Sequence, residues 1–298
     1  MSDTIFLVES KKYFFKYIKD DSIKLIYKDT NKIINIIKKI VYKFNLPLYN
    51  LFFGVWKKYI KDYNTVVILD TSYRRQIAKY IKKKNRNCKV IFYYWNIINK
   101  DCEYDVKNYK YLHERYIDEF WTFDKYDANK YNMKYNPQFY TKNINLNNKE
   151  KQYDIMFLGK PKNRKEKILK LKTEFEKKDL KLNFRIIEKG EKLVSYDKYL
   201  EMLSETKCIL DYNQDGQTGL SLRPMEALFL EKKLITNNKE IKNYDFYNSN
   251  NIFILEEDNI EDIKEFMEKP YKKIDSKIID YYNFEQWLNR FNIKEMEN

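Results

Sequence analysis

Short, β-rich apolar runs alternate with amphipathic helical stretches along nearly the whole chain. Thr4–Val8, Lys24–Tyr27, Thr65–Leu69, Lys89–Tyr94 and Glu119–Thr122 are rich in β-branched and aromatic residues and are bounded by polar ones, which predicts buried strands. A second series follows at Tyr153–Leu158, Leu182–Ile187, Lys207–Leu210, Lys233–Thr236 and Asn251–Leu255. Between the runs, apolar positions fall at helical spacing over 31–44, 72–84, 163–178, 197–205, 221–231 and 259–268. Alternation of this kind predicts parallel sheets with helices on both faces, and two series predict two doubly wound, Rossmann-like α/β domains. The polar, Asn-rich stretch 141–152 separates them, giving domains at 1–145 and 152–280. Residues 283–291 read as a closing amphipathic helix with Asn283 as its N-cap. No run approaches the ~18–20 apolar residues of a membrane span. The start of the chain reads as a buried strand, not a signal peptide, so the expected location is cytoplasmic.

Composition narrows the chemistry. With 43% hydrophobic and 34% charged residues, the chain has the apolar content that disordered polymers lack. Cys88, Cys102 and Cys208 are unpatterned, which argues against a disulfide framework or structural zinc. The single histidine, His113, excludes a histidine-rich metal site and leaves a carboxylate or this one imidazole as general base. Its setting, Leu112-His113-Glu114-Arg115, favours a structural role.

The net charge of +14 is unevenly spread. Residues 1–100 hold 22 Lys and Arg against 7 Asp and Glu, and the remainder is nearly balanced. Such asymmetry points to an anionic partner: nucleic acid, a membrane surface or an anionic substrate. Within 31–60, Ile33, Ile37, Ile40 and Phe44 recur at helical spacing among lysines, and Leu51-Phe52-Phe53-Gly54-Val55-Trp56-Lys57-Lys58 follows. Two readings stand side by side. One is a helix lying in an anionic membrane interface. The other, favoured for 31–44, is a core helix with its lysines in water.

The richest chemical segment runs from Asp211 to Leu228 and contains Gly216 and Gly219, two of only five glycines. It leads from a strand into a helix, where doubly wound folds bind ligands and where free N–H groups suit phosphate oxygens. Arg223 in the first turn adds a phosphate contact. Glu226, one turn on, is a candidate for ribose or sugar hydroxyls; its alternative is a solvated first-turn acid. A second basic turn, Gly159-Lys160-Pro161-Lys162-Asn163-Arg164, follows another strand, with Lys160 and Arg164 as candidates. In the N-terminal half Asp70, Asn96 and Asp124 end strands. Each is a candidate base or substrate contact whose alternative is a cap or turn.

The run Gly219-Leu220-Ser221-Leu222-Arg223-Pro224-Met225-Glu226-Ala227-Leu228, followed by Leu234-Ile235-Thr236, resembles the donor-site element of GT-B glycosyltransferases. The similarity is greatest to transferases of lipopolysaccharide and capsule synthesis, in which a Gly-Leu-x-x-Arg-x-x-Glu pattern recurs. Asp245-Phe246-Tyr247-Asn248 and Phe123-Asp124-Lys125-Tyr126-Asp127 also resemble elements of that group. In the retaining branch a Glu-x7-Glu pair opens the helix. Here the second glutamate matches Glu226, and Thr218 stands in place of the first.

The resemblance implies a GT-B-like fold in which 281–298 return to the N-terminal domain. It implies transfer of a sugar from a nucleotide-sugar, used as a substrate with no resident cofactor, to a glycan or lipid-linked acceptor. Lys160, Arg164, Gly219, Arg223 and Glu226 would bind the donor, and Asp70 and Asp124 are the carboxylates available for catalysis. No Asp-x-Asp occurs, so leaving-group charge falls to arginine, lysine and helix dipoles without a metal. Two other readings remain: a non-catalytic GT-B-like subunit, and a nucleic-acid-binding protein using the basic front third. The second leaves 211–228 unexplained, and no nucleic-acid partner is expected.

Overall fold

The computed structural model describes residues 3–98, 114–214 and 216–292; His113 and Cys102 lie outside them. Internal packing divides the chain into two units, Met1–Asn136 with Trp287–Asn298, and Pro137–Gln286. The Asn-rich 141–152 therefore lies within the second unit.

The first unit holds six parallel strands: β1 (Thr4–Val8), β2 (Ile23–Leu25), β3 (Thr65–Leu69), β4 (Lys89–Tyr94), β5 (Glu119–Thr122) and β6 (Lys134–Tyr135), in the order β2-β1-β3-β4-β5-β6. Every residue of β1 and β3 is buried, as continuous apolar strands must be when both faces of a parallel sheet are covered. Helix α1 (Lys32–Lys43) precedes β3, α2 (Arg75–Lys84) links β3 to β4, and α3 (Lys125–Tyr131) links β5 to β6. The chain returns to this unit at its far end. Trp287 is fully buried with its ring edge-on to Phe6 and Tyr93, and Phe291 packs on Tyr93 and Trp121.

The second unit has five parallel strands: β7 (Tyr153–Gly159), β8 (Leu182–Ile186), β9 (Thr206–Asp211), β10 (Lys233–Thr236) and β11 (Ile252–Ile254), in the order β11-β10-β9-β7-β8. Counted from its own first strand and read from the β8 edge, this is the doubly wound order 2-1-3-4-5. Its topological switch point lies between β7 and β9. Helices α4 (Lys165–Glu176), α5 (Tyr196–Ser204), α6 (Leu222–Phe229), α7 (Ile263–Glu268) and α8 (Ser276–Tyr282) belong to this unit, and α9 (Phe284–Asn289) carries the chain across the division. Ile168, Phe175, Ile263 and Phe266 close one core with Phe157, Leu210 and Ile235.

The structure departs from the sequence pattern in three ways. Helix α1 is not a core helix, because only Val41 of its residues is buried. Conversely, Phe52, Phe53 and Trp56 are core residues and not interfacial ones. Short 3-10 turns fold them inward, and the Trp56 indole N–H donates to the Ile26 carbonyl at 3.0 Å while its ring meets Phe53 and Tyr80. Finally, α3, β6 and α8 arise in Tyr-, Lys- and Asn-rich stretches where apolar spacing is faint. Among the described residues no helix is long and apolar enough to cross a membrane.

Candidate functional site

At the switch point of the second unit, β7 ends on Gly159 and β9 on Asp211. Ser221 caps α6: its hydroxyl accepts the Arg223 N–H at 3.2 Å and donates to Asp211 at 2.8 Å. The cap thus ties the first turn of the helix to the end of β9. Arg223 lies back across β7, where its guanidinium donates to the Leu158 carbonyl, sits 3.7 Å from Asp211 and covers the Phe157 ring. A Cβ on Gly159 would come within 3.1 Å of Arg223 Nη2. The glycine leaves the guanidinium room at the strand end.

Arg164, at the start of α4, enters the same cluster. It is 92% buried, yet its Nε finds no hydrogen-bond partner. Burial first, and then the neighbouring Arg223, hold its pKa below the ordinary arginine value, while Asp211 pulls the other way. Burial likewise pushes Asp211 up, and Arg223 is the largest influence opposing it. Two guanidiniums therefore share one fully buried carboxylate. Like charges this close in a dry setting repel, and the cluster carries one positive charge more than its carboxylate balances.

The loop between β9 and α6 is fixed from the end of β10. Asn237 accepts the Asn213 N–H at 2.6 Å and Asn238 donates to the Thr218 carbonyl at 3.0 Å. Gly216 has φ +83°, a conformation that favours glycine. Gly219 accepts a hydrogen bond from the Gln217 side chain through its carbonyl. Lys160 is exposed beyond β7. A cavity of about 590 Å³ is lined by Lys167, Leu171 and Glu174 of α4, by Tyr212 directly after Asp211, and by Leu255 and the acidic run Glu256-Glu257-Asp258. That is within the usual range for small-molecule sites.

Glu226 is not a solvated acid. It is buried, and its two oxygens accept the Tyr196 and Tyr199 hydroxyls at 2.8 and 2.6 Å. Burial raises its pKa to about 7 against the opposing pull of both tyrosines and Arg223. The sugar-hydroxyl role read from sequence therefore meets a carboxylate that already binds α6 to α5. These tyrosines were not singled out in sequence; their three-residue spacing on an amphipathic helix was the only signal.

In the first unit the switch point lies between β1 and β3, and Asp70 stands there, just after β3. Its carboxylate accepts the Thr71 N–H at 2.6 Å and the Asn96 side-chain amide at 3.0 Å, so two sequence candidates meet. Desolvation raises the Asp70 pKa, and Asn96 and backbone N–H groups oppose it. Asp124 is the N-cap of α3, accepting the Tyr126 and Asp127 N–H groups. Asp127 was not singled out. It is buried, accepts the Ile98 N–H at 2.9 Å, and is raised to about 6, mainly by burial.

No family model and no curated protein matches this chain. Among solved structures it is similar to HepE of Anabaena in complex with UDP-glucose, at 7% identity and a TM-score of 0.53, covering 97% of this chain and 98% of that one. The same protein in complex with UDP aligns over 98% of each chain at 9% identity, with a TM-score of 0.49. At such identities the likeness is one of fold, a two-domain GT-B-like α/β architecture.

Proposed function

We propose that the protein is a glycosyltransferase that moves a sugar from a nucleotide-sugar to a glycan or lipid-linked acceptor in cell-surface polysaccharide synthesis. The observation that carries this reading is the surplus charge of Arg164 and Arg223 at the switch point, with a buried, unpartnered Arg164 Nε. A donor diphosphate supplies the anion that the cluster lacks, and the cavity past Tyr212 takes the nucleoside. The binding of UDP-glucose by HepE, on a similar fold, supports the same ligand class.

In the reaction the acceptor hydroxyl oxygen bonds to the anomeric carbon as the bond from that carbon to the diphosphate breaks. The hydroxyl proton passes to a base, and the nucleoside diphosphate leaves with added negative charge. Guanidiniums already fixed in place stabilise that charge without reorganising. At the start of α6 the Arg223 N–H is taken by Ser221 and Pro224 has none, so the guanidiniums carry the charge, and exposed Lys160 adds to it at the rim. Glu226 works through Tyr196 and Tyr199, holding α6 where Arg223 is needed. Of the two sequence candidates, Asp70 stands at the switch point of the first unit with its pKa raised by desolvation and is taken as the base, while Asp124 caps α3.

Calorimetry of UDP, UDP-glucose and uridine against wild type and Arg164→Met tests the reading. Methionine keeps the buried volume and removes the charge. UDP should bind wild type and weaken about ten- to a hundredfold in the variant, the value of a lost charge-assisted pair, while uridine changes little. Other nucleoside diphosphates extend the panel. If no nucleoside diphosphate binds wild type, the reading fails. Turnover measured as nucleoside diphosphate release should survive a chelator.

A further inference from the structure

Helix α1 turns a stripe of large apolar side chains to solvent. Ile33, Ile36, Ile37, Ile40 and Phe44 follow at three- and four-residue intervals, so at 100° per residue they share one face. All are exposed, Ile33 by 68% and Phe44 by 65%. The helix is anchored along one flank of the stripe, where Val41 is buried, and by the half-buried Tyr42 on the far side. Leu48, Leu51 and Val55 continue the exposed apolar surface in the turns that follow. A contiguous apolar stripe, unlike scattered single residues, marks a surface that something covers.

The charge around the stripe selects the occupant. From Thr30 to Lys61 there are seven lysines and no aspartate or glutamate. By the same helical geometry, Lys32, Lys39 and Lys43 run along one border of the stripe. Lys38 lies over the Tyr27 ring and Lys57 donates to the Asn50 carbonyl, so these two are already engaged. A second copy of the chain would set lysine against lysine. A nucleic acid would leave the isoleucines wet, since its binding uses charge and aromatic stacking. An anionic bilayer matches both features, with aliphatic side chains at the acyl boundary and ammonium groups at the phosphates.

We propose that α1 and the turns after it dock the protein, in the plane of the interface, on a bilayer containing anionic phospholipid. Phe44 and the isoleucines are the inserted groups; Trp56 is a core residue and stays where it is. The docking surface is independent of the donor site, and its failure would leave that site untouched.

Co-sedimentation tests it with vesicles of phosphatidylcholine alone and of phosphatidylcholine mixed with phosphatidylglycerol. The full chain is compared with Lys32→Gln/Lys39→Gln/Lys43→Gln and with Ile33→Ser/Ile36→Ser/Ile40→Ser. All six side chains are exposed, and circular dichroism checks that both variants fold. Wild type should bind the mixed vesicles, bind phosphatidylcholine weakly, and release as salt rises. At about fivefold per lysine near such a surface, the lysine variant should lose roughly a hundredfold in partitioning. The serine variant should also lose binding. The proposal is overturned if wild type ignores mixed vesicles at low salt, or if either variant binds them as wild type does. It is equally overturned if light scattering shows a stable dimer that the serine variant abolishes while wild type leaves vesicles unbound.

Discussion

Glu226 and the tyrosines around it form a buried chain, since the Tyr196 hydroxyl that donates to Glu226 also meets the Tyr140 hydroxyl. Burial raises the folded-state pKa to about 7 from 4.5, so the folded protein holds a proton that the unfolded chain releases first. The stability this contributes is full below about pH 4.5 and is lost as pH rises through about 7, amounting to roughly 3 kcal/mol. Urea midpoints measured across that window should fall with pH in wild type and flatten in Glu226→Gln; parallel slopes would assign the titration elsewhere. Glu226→Ala should be worse at every pH, because each stranded tyrosine hydroxyl costs about 1–3 kcal/mol. Arg223, Arg164 and Glu226 were legible as residues of interest because glycines and a helix start surround them in a glycine-poor chain. Their partners were not legible: no local spacing shows that Tyr199 reaches Glu226 across two helices, or that Arg223 turns back onto Leu158.

Helix α3 begins at Asp124, whose carboxylate takes two N–H groups of the first turn. Asp124→Ala should cost about 0.5–2 kcal/mol in stability, while Asp124→Asn, an equally good cap, should cost almost nothing. If Asp124 is only a cap, Asp124→Asn also keeps full nucleoside diphosphate release with an acceptor; a large loss of turnover in a stable variant would return it to the chemistry. Every strand but β6 was readable to within about two residues because buried parallel strands are continuous apolar runs. Helix α1 was not. Isoleucine or valine occupies 33, 34, 36, 37, 40 and 41, an arc of about 160° at 100° per residue, which reads as the buried face of a core helix although the structure leaves all of it but Val41 in solvent. The turns of 49–62 hid Trp56 as well, because its partner is the Ile26 carbonyl thirty residues earlier.

The two-sheet architecture followed from strand–helix alternation, but the division at Asn136 and Pro137 has no composition change to mark it. What closes the first unit is remote in sequence. Trp287, Leu288 and Phe291 are buried, Asn136 donates to the Trp287 carbonyl at 3.0 Å, and Asn292 bonds Thr4 and Thr65. Losing one large buried aromatic costs about 3–5 kcal/mol, so losing the group rivals an ordinary domain's whole stability of about 5–15 kcal/mol. A chain ending at Gln286 should therefore show amide protection in Pro137–Gln286 and little in Met1–Asn136; equal protection in both would deny the segment this role. During synthesis the consequence is a delay. The first sheet emerges early, yet its sealing residues follow only after the 150 residues of the continuous second unit, roughly ten to thirty seconds at ribosomal speed. For that interval the nascent chain carries an aromatic sheet face around Phe6, Tyr93 and Trp121 without its cover, a natural substrate for chaperones that wait at the exit tunnel.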